Sequence, residues 1–132
     1  MTPDSSAIVA AFAAWHPVHD RARRALRDVE DLVAHAELEA YSVLTRLPAP
    51  FRAQPALVSE YLRRRHPGAR LVLPAGARAG LIDDLSQSAV SGGAVYDALI
   101  ALTAKRNERV LVTCDGRALS LYQRLGVSVR AL

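Results

Sequence analysis

Four acidic residues stand where an α/β chain would place its chemistry. Asp4 follows the first residues, Glu39 follows the apolar Leu32 to Ala36 segment, Asp97 lies in the first turn after Gly92-Gly93, and Asp115 lies just past the apolar run Arg109 to Thr113. In open α/β sheets ligands bind beyond the carboxyl ends of the strands, so acids there differ from acids on helix surfaces. If the four converge, they repel one another and raise each other's pKa. A hard divalent cation removes that conflict, and an all-oxygen donor set favours Mg²⁺, with Mn²⁺ as a substitute. Carboxylates around such a cation suit phosphodiester hydrolysis by water, which needs no serine, histidine or cysteine nucleophile.

Each acid also has a plainer role. Asp4 suits the N-cap of a helix beginning near Ala7, and Asp97 suits the positive end of its own helix. Asp115-Gly116 reads as a turn, and Glu39 as a first-turn helix acid. Glu37 competes with Glu39, because side chains two apart in an extended segment share a face.

The elements that must position these acids follow from periodicity and breakers. Apolar spacing predicts helices over Ala7 to Phe12 and Ala22 to Leu32, with Trp15-His16-Pro17 between them. Leu32 to Ala36 reads as a short strand, followed by a helix from about Glu39 to Leu47 that Pro48-Ala49-Pro50 ends. A helix from Pro55 to Arg65 starts on a proline and stops before Pro67-Gly68. Arg70 to Leu73 reads as a strand, and Pro74 opens a helix reaching Ala89. Further helices cover Ala94 to Arg106 and Arg117 to Leu125, the latter capped by Gly126. Strands at Arg109 to Thr113 and Val127 to Val129 complete an α/β domain spanning residues 1–132, with a short, mostly parallel central sheet flanked by helices.

Composition restricts the function classes. At 132 residues the chain suits one domain, and 51% hydrophobic with 23% charged residues is globular rather than disordered. No apolar run approaches the roughly 20 residues that span a bilayer. The stretch Ala7 to Trp15 follows an acid rather than a basic region, so a cytoplasmic protein is expected. The lone Cys114 reads as a small buried side chain, and no Cys/His cluster resembles a zinc site. Net charge is +4, and Lys105 is the only lysine among 17 Lys and Arg residues. Arginine's planar fork suits phosphate oxygens, so an anionic partner is expected.

The segments Asp4-Ser5-Ser6, His35 to Pro48, Gly92 to Ile100 and Val112 to Ala118 together resemble the VapC toxins of the PIN-domain family, in order and across nearly the whole chain. The resemblance implies a metal-dependent endoribonuclease, the toxin of a type II toxin–antitoxin pair. Its metal-coordinating acids map onto Asp4, Glu39, Asp97 and Asp115, with Ser6 and Thr113 as hydrogen-bonding supports. The match of Tyr41 to Pro48 selects Glu39 over Glu37. The implied partners are RNA, a cognate VapB-like antitoxin and a second copy of the chain, with no membrane. In one respect the sequence departs from the family: only Met1-Thr2-Pro3 precedes Asp4, so the first strand is stunted, and its proline lacks a ladder donor.

Other residues read as structural. His16 and His19 flank a helix start, and His35 and His66 have no spaced partner. Arg63-Arg64-Arg65 ends a helix, where cations meet the dipole favourably. Tyr41, Tyr61, Tyr96 and Tyr122 could stack on bases but suit packing, whereas Arg117, beside the acids, is the phosphate-contact candidate. Two other functions compete: a catalytically silent PIN-like module binding RNA or protein, and a receiver-like phosphoacceptor. The latter expects a lysine near the acids, and Lys105 lies inside a predicted helix. The apolar positions Val9, Phe12 and Trp15 suit either core packing or a partner face.

Overall fold

Short apolar runs bounded by helix formers give five brief strands, all parallel, in the computed structural model, which describes residues 1–132. The strands are β1 (Thr2–Pro3), β2 (Leu32–Val33), β3 (Arg70–Leu71), β4 (Leu111–Thr113) and β5 (Val129–Ala131). The helices are α1 (Ser5–Phe12), α2 (His19–Ala25), α3 (Ala34–Arg46), α4 (Pro55–Arg65), α5 (Ala75–Ala79), α6 (Leu81–Gln87), α7 (Ala94–Arg106) and α8 (Leu119–Arg124). One sheet has the order β1-β4-β5, and β2 pairs with β3 in a second. Parallel strands need crossovers, which the helices supply, and every strand therefore points its carboxyl end the same way within its sheet.

Pro3 explains where the ladder stops. Thr2 and Asp4 donate their backbone N–H groups to the carbonyls of Val110 and Val112, both at 2.9 Å. Successive residues of a strand face opposite sides, so the missing donor of Pro3 falls on the side away from β4. There β1 meets β2 through the Thr2 hydroxyl, which donates to the Asp31 carbonyl at 3.1 Å. The two-residue strand thus anchors Asp4 without a proline penalty in its one ladder.

Several boundaries differ from the sequence expectation. The Leu32 to Ala36 strand stops at Val33, because Ala34-His35-Ala36-Glu37-Leu38 are stronger helix than strand formers. Glu39 therefore sits one and a half turns into α3, and Glu37 and Glu39 point to different sides of a helix instead of sharing a strand face. The helix expected from Pro74 to Ala89 is two helices broken at Gly80. The second helix, expected from Ala22 to Leu32, starts earlier, at His19, and ends at Ala25. The last strand starts at Val129, while Val127 is buried in the turn that Gly126 opens at φ +67°.

The main core joins Ile8, Leu44, Val58, Leu62, Ile100 and Leu111 between the sheets and α1, α3, α4 and α7. On the other side α2 packs closely on α1 because Ala7, Ala10, Ala11 and Ala22 present little more than methyl groups around Val112. Val9 and Phe12 are partly buried and pack against the main core, the first of the two roles considered from sequence, while Trp15 is 48% exposed. No helix is long and apolar enough to cross a membrane.

Candidate active site

Asp4 occupies the step from β1 into α1 and serves as the helix N-cap, its extended backbone turning the chain while its carboxylate accepts from the Ala7 N–H at 3.0 Å. The same oxygen, Oδ1, accepts from the Ser6 hydroxyl at 2.6 Å, and Oδ2 accepts from the Tyr122 hydroxyl at 3.0 Å. The cap and the site are one residue, so the two readings of Asp4 coincide. Asp4 is only 2% exposed. Burial raises its pKa, against the opposing pull of its donors Ser6, Thr113, Ala7 and Tyr122.

Ser6 and Thr113 tie this cap to the carboxyl end of β4. Their hydroxyl oxygens are 3.3 Å apart, the Cys114 N–H donates to Ser6 Oγ at 2.9 Å, and the Asp115 N–H donates to Thr113 Oγ1 at 3.0 Å. Asp115 then folds back as an Asx turn, accepting from the Arg117 N–H at 2.9 Å, which leads the chain toward α8. The Arg117 side chain is 96% exposed, with its Nε 3.6 Å from Asp115 Oδ1. Such a loose surface pair holds little energy, and the guanidinium is free to meet a phosphate.

Glu39, in the second turn of α3, has one hydrogen-bond donor and one nearby imidazole. The Ser5 hydroxyl donates to Oε1 at 2.5 Å, and His35 Nε2 lies 3.6 Å from Oε2. The early start of α3 puts positions 35 and 39 on one face, which brings the His35 ring beside Glu39. Glu37 faces elsewhere and takes a two-pronged pair from Arg70, at 2.7 and 2.9 Å.

Asp97, in the first turn of α7, completes the arrangement. Its pKa is raised to about 6, first by desolvation and then by the negative charges of Glu39, Asp4 and Asp115. All four acids therefore act within one field. Glu39, Asp97, Asp115 and Arg117 line a common recess of about 430 Å³, whereas Asp4 is buried and does not line it. No three of these acids share one point at ligating distance. The donor chemistry nevertheless fits a hard divalent cation, which keeps several waters and takes one or two carboxylates directly, and the mutual repulsion at Asp97 is the charge such an ion would balance.

Tyr122 and Ser5 are functional neighbours that sequence reasoning missed. Tyr122 is buried, and that burial, followed by the charge of Asp4, pushes its phenol pKa far up, keeping it a hydrogen donor. Its helical position carried no signal of a partner 118 residues away. Ser5 adjoins Asp4, but only the packing of α1 on α3 points it at Glu39. Cys114 behaves as expected: partly buried, with desolvation and Asp4 pushing its thiol up to about 11. Lys105 donates to the Leu125 carbonyl at 2.9 Å, two turns of α7 beyond Asp97, so a receiver-like lysine is missing from the acids. His66 is buried with Nδ1 2.6 Å from the Val29 carbonyl and serves the core.

The PIN-domain family profile matches residues 1–124, and the chain belongs to this family. Among its relatives is Ribonuclease VapC40 of Mycobacterium tuberculosis, 47% identical over 129 residues, covering 98% of this chain and 96% of the relative. Ribonuclease VapC27 of the same organism is 43% identical over 98 residues, covering 74% and 71% respectively.

Proposed function

We propose that the chain is a Mg²⁺-dependent endoribonuclease and the toxin of a type II toxin–antitoxin pair, with Asp4, Glu39, Asp97 and Asp115 as the cation-holding acids. Family membership and the ribonuclease relatives support the RNA-cleaving reading. The observation that carries the site is the recess of about 430 Å³ that Glu39, Asp97 and Asp115 line together; burial and then the charges of Glu39, Asp4 and Asp115 raise the Asp97 pKa to about 6. A divalent cation held there supplies Lewis acidity toward both a water and the phosphodiester. The protein's own contribution is orientation. Ser6, the Ala7 N–H and Tyr122 fix both oxygens of Asp4, while Ser5 fixes Glu39, so little reorganisation accompanies the reaction. Arg117 takes a phosphate oxygen at the exposed rim.

Incubating the purified chain with a labelled single-stranded RNA tests this reading. Cleavage is expected with Mg²⁺ or Mn²⁺, none with EDTA, and none by a folded Asp97→Asn variant. EDTA-insensitive cleavage, or full activity in Asp97→Asn, refutes the assignment; a parent that binds RNA yet never cuts it is the silent module instead.

The partner reading follows the same chemistry. A VapB-like antitoxin directs an arginine fork into the acid recess, where Glu39, Asp97 and Asp115 without a cation favour it. Its apolar segment has a neighbouring groove of about 360 Å³, lined by Val33, Leu38, Leu71, Val72 and Leu99, in which Leu38 and Val72 are more than 60% exposed. His35 borders both.

A further inference from the structure

Of the four tyrosines, three are spent on packing. Tyr122 is buried, Tyr61 meets Phe12 edge-on at 5.1 Å between ring centroids, and Tyr41 lies against the main core. Tyr96 is different. It is 54% exposed on the rim of the acid recess, one residue before Asp97, and its ring lies parallel to that of His35. The centroids are 5.3 Å apart and the planes differ by 6°. This is an offset stack of the kind aromatic pairs prefer. His35 covers one face of the tyrosine and is itself steadied by Glu39 at 3.6 Å. Tyr96 is otherwise solvent-exposed and lines the same recess as Asp97, Asp115 and Arg117. The other exposed aromatic pair, Trp15 and Phe51, borders no such recess.

We propose that the Tyr96–His35 stack is a platform for one unpaired base of the RNA strand, next to the phosphodiester that the acids and Arg117 receive. The inference rests on the nuclease reading and assigns its substrate contact: a base splayed from its neighbours, recognised by its π-face. Single-stranded RNA is held this way elsewhere, by aromatic rings that extend the base stack while cationic side chains follow the phosphates. The recess, about 430 Å³, falls within the range of small-ligand sites. A paired helix would not present that base. The platform therefore selects loops and single strands and supplies part of the binding that places the phosphate. Tyr96 is a positioning residue; it holds no cation and moves no proton.

The test is a cycle between protein and RNA. Cleavage sites are first mapped on a single-stranded oligonucleotide, and abasic nucleotides are then placed at each position flanking the cut. At one position the abasic substrate is expected to lower kcat/KM of the parent by about 5- to 150-fold, the equivalent of one base–aromatic stack. Tyr96→Ala should show a loss of similar size on the intact RNA and no further loss on the abasic one, whereas Tyr96→Phe should stay within about twofold. Separately, 2-aminopurine at that position should be quenched when the parent binds in EDTA, and not when Tyr96→Ala binds. Circular dichroism establishes that both variants fold. Independent, multiplicative losses, or a Tyr96→Ala variant with parental kcat/KM and parental quenching, overturn the proposal. A parent that cuts no RNA sinks the nuclease reading, and the quenching experiment, run along the whole oligonucleotide, still decides whether Tyr96 stacks a base.

Discussion

Removing the charge of Asp97 should stabilise the cation-free protein while abolishing its activity. The carboxyl is raised from its ordinary 3.8 to about 6 by burial and by Glu39, Asp4 and Asp115. Between those values the native chain binds more protons at this site than the unfolded chain does, so stability falls as pH rises through the window and the loss is complete above about pH 6 to 7. Each pKa unit is worth 1.36 kcal/mol, which puts the full cost of ionising Asp97 in the fold near 3 kcal/mol. Asp97 is only partly buried, so solvent screening reduces this, and an amide retains some of the desolvation cost. Asp97→Asn is therefore expected to gain about 1–3 kcal/mol at pH 7.5 in EDTA, a rise of roughly 3–10 °C in Tm. The gain should shrink toward zero as the pH approaches 4. Thermal melts of parent and variant across pH 4.5 to 8, with EDTA and with 5–10 mM Mg²⁺ (about the level at which a weak site fills), measure it. Mg²⁺ should raise the parent's Tm and leave the variant's nearly unchanged. A variant less stable than the parent at pH 7.5 in EDTA, or an advantage that does not depend on pH, refutes the argument that the four acids share one field.

Tyr122→Phe leaves Asp4 Oδ2 buried without its donor, which should cost about 1–3 kcal/mol in urea unfolding and lower kcat more than it raises KM; unchanged stability would show that the hydroxyl is not holding Asp4. Glu37→Gln should retain cleavage and lose at most about 1 kcal/mol of its pair with Arg70, while Glu39→Gln should lose cleavage; the reverse pattern would reassign the site. Arg117→Ala is expected to raise KM for RNA several-fold and flatten its dependence on salt, and an unchanged salt slope would remove Arg117 from the phosphate contacts. A co-purified antitoxin should suppress cleavage and weaken calorimetric Mn²⁺ binding together, since an arginine and a cation compete for the same oxygens. Inhibition with undiminished Mn²⁺ binding would place the antitoxin elsewhere.

The four candidate acids stand out in the residues because local chemistry marks them, each near a short apolar run or a glycine break, and the chain order of strands and helices is set by periodicity that needs no tertiary partner. Pro55 to Arg65 and Ala94 to Arg106 begin and end where proline, glycine and the apolar spacing say they should. Strand ends were less legible. A parallel strand of two or three residues is defined by its neighbour's ladder, and β2 pairs only Leu32 with Arg70 and Val33 with Leu71 before the helix formers from Ala34 take over. That early stop put His35 and Glu39 on one helical face and sent Glu37 to Arg70 instead. The donors to the acids were settled only by packing. Tyr122 reaches Asp4 across 118 residues, Thr113 reaches Ser6 across 107, and Ser5 reaches Glu39 across 34. Residue types announce which groups carry charge. Which hydroxyl completes which carboxylate, and which of four tyrosines stays exposed, depends on close-packed contacts between elements far apart in the chain, where a shift of about one ångström makes or breaks a hydrogen bond.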